Sequence, residues 1–494
     1  MRTHTEAEFR AVAGFMLLVA AFTLAPASGS QWTRSFTSWY GANQSRATGS
    51  ANSANLAWFE SNLLQGTLAE FEATHDTVWL DRFTLHADAM FASMNDAPDS
   101  GRFWPGYRDG FLGWGTMRYD AAHHYQEYMV HDGFICLPVA RFIRLVYSTP
   151  ELQDLYLKPA RRYQATIEKN ILAKWFRNWN ARRGPGDDLK TYGGWRNLPL
   201  NMFLAFGELL LVFSDIRQSP SYVCAAPEIP ASFYSAVPDS MARVFRASLH
   251  RDPTTDAWRW SYWPTTVADT LPEDLSHANL DISFAIEASR HGIVFTPGDM
   301  KGFANTFTRL VWNGSFALPQ FSSHVNGFGR DSLLYLTDWV RLTEYDTTIY
   351  GLVARAVGAS PRDPVTMGVG MAQTTAYLAR TETELPPEFS ERPGPTVNEI
   401  VSGTDCSLRM SPNPLIARGT FSYETVTAGG VGLIVYDESG RMTRVVVHEQ
   451  QAVGHHEATW DGTNEQGETV PFGVYHCVLI TTTGRETAVV VVVR

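Results

Sequence analysis

The stretch YMVHDGFICLPVARFIRLVY, residues 128–147, decides how the main part of this chain is read. Met129, Phe134, Ile135, Val139, Phe142, Ile143 and Val146 recur at three- and four-residue spacings, which puts them on one face of a helix. The same spacing predicts helices near 152–173, 199–214, 237–249, 278–290, 298–312 and 331–357. Residues 56–358 therefore read as a mostly α domain. Its helices are joined by loops rich in Trp, Tyr, Gly and Pro, such as 103–107 (FWPGY), 191–197 (TYGGWRN) and 258–264 (WRWSYWP). Long aromatic loops between paired helices tend to collect on one face and carry function.

Towards the carboxy terminus, residues 359–400 shift to Pro, Thr, Glu and Gly and read as a linker. Residues 401–494 then alternate as strands do, at 431–437, 443–447, 474–480 and 488–493, with Gly turns between them. A small all-β sandwich is expected there. Towards the amino terminus, residues 11–25 form an uncharged apolar run after Arg2 and Arg10, and Ala25-Pro26-Ala27 is a small-x-small pattern. Residues 1–27 read as a signal peptide cleaved after about Ala27, so the protein is expected to be secreted or held at the cell surface. Residues 28–55, rich in Ser, Gly, Asn and Ala, read as a flexible leader.

The chain has 494 residues, a formal charge of −11, 44% hydrophobic and 13% aromatic residues. That composition excludes a disordered protein and argues against one that grips nucleic acid through its phosphates. The aromatics suit a groove that stacks sugar rings, although large helical cores use them too. Cys136, Cys224, Cys406 and Cys477 are far apart and fit no metal spacing. No metal or cofactor is expected. Cys406 with Cys477 is a conceivable bridge, and Cys136 reads as a buried thiol. GxSxG, HExxH, P-loop and dinucleotide motifs are absent.

The richest polar stretch is 273–281, EDLSHANLD. His277 and Asp281 share a helix face, with Asp274 and Asn279 close by. One reading is a helix cap from Asp274 or Ser276, with Asp281 orienting a buried His277; the other, slightly ahead, is a catalytic cluster. Asn201, inside an apolar helix start, is either a cap or a ligand-facing amide. His131-Asp132, in the apolar helix, is either a satisfied core pair or faces a cavity.

Two resemblances follow. Asn413-Pro414, the segment 435–441 (VYDESGR), Trp460-Asp461-Gly462 and Pro471-Phe472-Gly473-Val474-Tyr475 resemble the immunoglobulin-like module of flagellar hook-capping proteins and of type IX secretion sorting domains, over about the last 85 residues. That resemblance implies cell-envelope secretion or attachment machinery as a partner. Segments 130–134 (VHDGF), 138–142 (PVARF), 198–201 (LPLN), 260–263 (WSYW) and 273–277 (EDLSH) are similar, in order, to motifs of the (α/α) toroid carbohydrate enzymes. These comprise six-hairpin glycosidases, alginate and glycosaminoglycan lyases and glucuronyl C5-epimerases. The whole is then expected to be multidomain: a mainly α (α/α) toroid followed by a small immunoglobulin-like sandwich.

The resemblance implies an exported polysaccharide-active enzyme, a lyase or C5-epimerase on a uronic-acid glycan. Such chemistry needs a base for the C5 proton, a group that neutralises the carboxylate and an acid for the leaving oxygen. His277 as base, Tyr262 as acid or base, and Arg196 and Asn201 at the carboxylate would fill those roles, with His131 a further catalytic candidate. Hydrolysis would instead draw on Glu273, Asp274 and Asp281, with Asp109 or Asp132 as partner. Trp104, Tyr107, Tyr192, Trp195, Asn197, Trp260, Trp263 and Asn279 are the expected substrate contacts. The rival readings are a glycoside hydrolase of the same architecture, a non-catalytic glycan-binding protein, and a structural surface protein with the toroid as spacer.

Overall fold

The computed structural model describes residues 30–95, 110–119, 125, 127–178, 198–264, 272–315, 319–329, 336–360, 363–385, 408–436, 442–464, 467–481 and 485–493. The helices are α1 (Gln31–Asn43), α2 (Ser53–Asn55), α3 (Ser61–Thr74), α4 (Val78–Ala92), α5 (Met129–Ser148), α6 (Pro150–Thr166), α7 (Ala173–Asn178), α8 (Leu200–Gln218), α9 (Phe233–Ser248), α10 (Leu275–Arg290), α11 (Pro297–Asn305), α12 (Thr337–Arg341), α13 (Thr348–Gly358) and α14 (Val369–Glu384). The chain is mainly helical up to α14 and all-β after it. None of the described helices is long and apolar enough to cross a membrane.

Six of these helices are neighbours in space, each packing on the next: α3 packs on α5, α5 on α8, α8 on α10, α10 on α12, α12 on α14, and α14 on α3 again. Their mutual direction follows from paired contacts. Ser53, in the short α2 that leads towards α3, meets His131, and further along Gln65 meets Arg141. Asn279 meets Asp338, and four residues on Ser283 meets Arg341. Gln65 meets Tyr377, and Glu72 meets Arg380. All three pairs of helices run parallel. The intervening helices α4, α6, α9, α11 and α13 each pack against the member that precedes them, and α1 packs on α14.

Close approach has a visible cause between α5 and α8. A Cβ on Gly133 would stand 2.6 Å from the Phe206 backbone nitrogen, so only glycine lets the two helices lie this near. A belt of polar side chains crosses the interior at mid-height. Arg141 donates to Gln65 (3.2 Å) and Glu208 (2.5 Å), Ser283 donates to Glu208 (2.9 Å), Arg341 donates to Ser283 (3.0 Å), and Tyr377 donates to Gln65 (3.3 Å). Each of the six helices supplies one member.

Three expectations are corrected. Residues 28–55, read as a flexible leader, carry α1, whose Trp32, Phe36, Trp39 and Tyr40 are buried in the main core. The Trp39 indole donates to the Met367 carbonyl at 3.0 Å, which fixes α1 on the turn that leads into α14. The linker read at 359–400 holds α14, whose Tyr377 and Leu378 are buried in the same core. The helical stretch expected over 331–357 breaks at Asp346, whose carboxylate accepts from the Thr348 amide (3.1 Å) and starts α13.

In the helical part, β1 (His250–Arg251) and β2 (Trp258–Arg259) form a short antiparallel ribbon. After α14 come β3 (Arg409–Ser411), β4 (Gly419–Thr425), β5 (Gly429–Tyr436), β6 (Met442–Gln451), β7 (Gly454–Trp460), β8 (Gly473–Ile480) and β9 (Arg485–Val492). They make two antiparallel sheets, ordered β3-β4-β7 and β6-β5-β8-β9. Their inward residues, including Phe421, Leu433, Val435, Trp460, Tyr475 and Leu479, form a core separate from that of the helices. The two quoted motifs each close a turn. Trp460 donates to the Thr463 carbonyl (2.9 Å) across Gly462, which holds a positive φ of 69°, and Tyr475 donates to the Pro471 carbonyl (2.8 Å). Cys136 is a buried free thiol, as expected, and Cys477 is likewise free and buried; Cys406 lies outside the described residues.

Candidate functional site

The first turn of α10 and the two loops beside it build a concentrated cluster of ionisable groups. Asp274 is the N-cap of α10 and accepts from the amides of Ser276 (2.8 Å) and His277 (3.1 Å). The same carboxylate pairs with the His277 ring, Nδ1 to Oδ2, at 2.7 Å, and Glu273 lies 3.5 Å from that nitrogen. Cap and cluster, weighed as alternatives from sequence, are therefore the same residues. The loop carrying Trp260 is stitched to this turn: the Glu273 amide donates to the Trp260 carbonyl (3.1 Å), and the Leu200 amide at the start of α8 donates to the Tyr262 carbonyl (3.0 Å). A third loop closes the other side, where the Leu275 amide donates to the Ser323 carbonyl (2.8 Å) and the Val325 amide to the Glu273 carbonyl (3.0 Å).

Electrostatics follow from this packing. Burial disfavours a charged His277 ring, but Asp274 and Glu273 outweigh it and lift the ring to about 10, so it is an imidazolium at neutral pH. Burial would raise Asp274, yet hydrogen bonds and the charge of His277 hold it well below the usual carboxylate range. Glu273, fully buried, is pushed up to about 7 by burial, against the pull of His277. Asp281 is raised well above its ordinary value, by burial first and then by the Glu273 charge; the Trp260 indole donates to it at 2.9 Å. The Tyr262 ring lies against His277 with centroids 5.3 Å apart, and burial plus the nearby carboxylates push its hydroxyl up to about 12. The His277 side chain is 35% exposed, so the ring is reachable from solvent while Glu273 behind it is not.

His131 lies at the start of α5, its Nδ1 2.8 Å from the Ser53 hydroxyl and its ring among Trp58, Tyr119 and Tyr128. Burial, then the Arg118 charge, push it down to about 3, so it is neutral. Asp132 next to it is committed to Lys174 (2.6 Å) and the Trp175 indole (2.8 Å). Asn201, the second residue of α8, is buried with its amide oxygen unpartnered. Such a buried acceptor fits the ligand-facing reading better than the cap, since the residue lies inside the helix.

Two expected substrate contacts face elsewhere. The Asn279 amide bridges α10 to α12, donating to Thr337 (2.9 Å) and Asp338 (3.0 Å) and accepting from the Asp338 amide (2.8 Å). Its hydrogen-bonding capacity is spent on the fold. The Trp260 ring is fully buried against Phe245, Phe303 and Trp339, so it supports Asp281 and offers no face to a sugar. Trp263 is half-buried against Tyr262 and stays available. Trp104, Tyr107, Tyr192, Trp195, Arg196 and Asn197 lie outside the described residues, as do Asp109 and the segment 1–27.

Sequence reasoning missed Ser53, which orients His131, and the loop from Ser322 to Val325, which walls the cluster. Neither carries a local signal, because both come from parts of the chain far from their partners. Glu273, Asp274 and His277 also bring three potential metal-ligating atoms within 4.8 Å of one another, as do Asp215, Glu287 and His291. In both, the histidine is already ion-paired to the carboxylates.

Residues 417–485 match the family model of the FlgD Ig-like domain. No curated protein matches the chain. One similar solved structure is dimeric latent PorU from Porphyromonas gingivalis, 22% identical over 17% of this chain and 9% of that one, with a TM-score of 0.15. Another is the alkylpurine DNA glycosylase AlkC of Pseudomonas fluorescens bound to DNA containing an abasic site analog, 10% identical over 73% of this chain and 77% of that chain, with a TM-score of 0.20. This chain thus spans a small fraction of the length of PorU. Neither overlay is close enough to bear on the helical part.

Proposed function

We propose that this chain is an exported bacterial polysaccharide-active enzyme acting by β-elimination or C5-epimerisation on a uronic-acid glycan, with its helical part an (α/α) toroid and its sandwich a sorting or attachment module. The toroid reading is supported by the return of the helix contacts from α14 to α3 and by the alternation of parallel inner with outer helices. The matched immunoglobulin-like module supports the attachment role.

The observation that carries the catalytic reading is the Tyr262 ring set against a solvent-reachable imidazolium, His277, that two carboxylates keep charged. This arrangement changes the role the sequence suggested. A histidine lifted to about 10 holds its proton at neutral pH, so it suits the cation that neutralises the uronate carboxylate and not the base. Tyr262, kept as a hydroxyl, suits the proton donor to the leaving oxygen or to the opposite face of C5. His131, buried and lowered to about 3, is too weak a base for the C5 proton, which passes to a group other than His277 and Tyr262. Burial of Glu273 and Asp281 speaks against hydrolysis, which needs two carboxyl groups in reach of the glycosidic bond.

The test incubates the full chain with a panel of uronic-acid polysaccharides in heavy water, following absorbance near 235 nm and deuterium incorporation at C5. Either signal, reduced about 100-fold or more in Tyr262→Phe, is the expected result. Reducing ends without either signal would replace this reading by a hydrolase, and binding without turnover by a glycan-binding protein.

A further inference from the structure

The opposite end of the helices carries a feature the catalytic reading does not use. Arg290 is the last residue of α10, thirteen residues from His277, which is about 20 Å at 1.5 Å per residue. There, on the far side of the polar belt, a cavity of about 210 Å³ is lined by Arg141, Arg144, Arg290, Arg341, Arg380 and Gln65, among others. It adjoins a second cavity of about 610 Å³ that shares Arg290, Arg341 and Arg380; Glu72 lines both, and Glu344 and Glu384 line the larger.

Four of the five guanidinium groups have carboxylate partners. Arg141 pairs with Glu208 (2.5 Å), Arg144 with Asp215 (2.9 Å) and Glu287, Arg341 with Asp338 (2.6 Å), and Arg380 with Glu72 (3.1 Å). Arg290 has no ion pair among the described residues. It is exposed at the rim, and the charge of Arg341, then burial and more weakly Arg380, lower its affinity for its own proton against the pull of Glu287 and Glu344. A second, independent observation points the same way. Gln65, 3% exposed, leaves its amide nitrogen without a hydrogen bond, while Arg380 is paired with Glu72 and has its Nε 3.9 Å from Glu384. The uncommitted atom is a donor, and Gln65 belongs to the lining of the smaller cavity. Arginines crowded around an unused donor in a partly closed cavity call for an acceptor with several oxygens and negative charge.

We propose that this cavity is a binding site for a tetrahedral oxyanion, a phosphate or sulfate group, seated between Arg290, Arg380 and Gln65. The volume accommodates such a group with water, and the larger cavity beside it leaves room for a sugar that carries one. The site is separate from the His277 cluster and does not depend on the reaction proposed there.

Full-length protein is titrated with inorganic phosphate and with sodium sulfate at ionic strength matched by chloride, by calorimetry and thermal melting. Either anion at a hundredfold excess over its Kd raises the melting midpoint of the helical domain by about 5 °C. Arg290→Gln, which breaks no ion pair, lowers affinity at least tenfold, and Gln65→Leu weakens binding independently. A sulfated disaccharide that competes with phosphate and binds more tightly identifies a glycan-borne group; tighter binding of the free ion identifies phosphate or sulfate itself. An equal midpoint rise with chloride, or full affinity in Arg290→Gln, overturns the proposal.

Discussion

Asp281 behaves in the opposite way to an ordinary aspartate. Burial raises its carboxyl in the folded state, so the folded chain holds a proton there that the unfolded chain loses near pH 4. Its contribution is therefore present below the unfolded value and lost as pH rises. Asp281→Asn keeps an acceptor for the Trp260 indole and removes that loss, so its urea midpoint is expected above that of the native protein at pH 7, the gap closing near pH 4. His277 has the complementary sign. Raised to about 10 in the fold, it stabilises fully below about 6.5 and loses that contribution as pH rises to 10. In His277→Gln, denaturant midpoints measured at pH 6 and pH 10 should differ less than they do in the native chain. Turnover, if it uses the imidazolium, should also fall above pH 10. Had His277 been the base, activity would climb over that same interval.

Between elements, the belt through α3, α5, α8, α10, α12 and α14 and the Gly133 contact set the geometry at the two ends. Glu208→Ala strips the buried Arg141 of its carboxylate and should cost about 3–5 kcal/mol by chemical denaturation. Gly133→Ala forces α5 away from the α8 backbone and should cost about 1–3 kcal/mol. α1 is as structural as any later helix: Trp39→Ala, which removes a fully buried indole, should cost about 3–5 kcal/mol. Four of the six inner helices were legible, while α3 fell in none of the expected stretches and α14 was read as linker. The three- and four-residue spacing of α5, α8 and α10 was in plain view, because their buried faces are almost wholly apolar. α1 was not, since Trp32, Phe36, Trp39 and Tyr40 recur at helical spacing but sit among Ser, Thr, Arg and Gly, and the polar composition was weighed above the spacing. β4 and β7 also escaped notice, for their outward residues are so polar that each reads as loop. At the site, the segment 273–281 announced itself, but charge did not: whether His277 is an acid or a base depends on how closely Asp274, and then Glu273, approach its ring, which no local spacing reveals.

At the scale of the molecule, the helical and β parts have separate apolar cores, so calorimetry of the full chain should resolve two transitions, the phosphate-sensitive one being the helical one. Among the inner helices, three neighbouring pairs have been traced as parallel, and their amino-terminal turns meet where Ser53 touches His131 and where Asn279 reaches the start of α12. Peptide dipoles in helices that run together add where those of an antiparallel bundle would cancel, each terminus carrying roughly half a charge. The end bearing His277 is thus electropositive before any side chain is counted, on a protein whose formal charge is −11. The uronic-acid glycan proposed above would be drawn to that end over the repulsion of the rest of the surface, with a pull that weakens as salt shortens its range. The far end collects the carbonyl poles, and the arginines there sit against them.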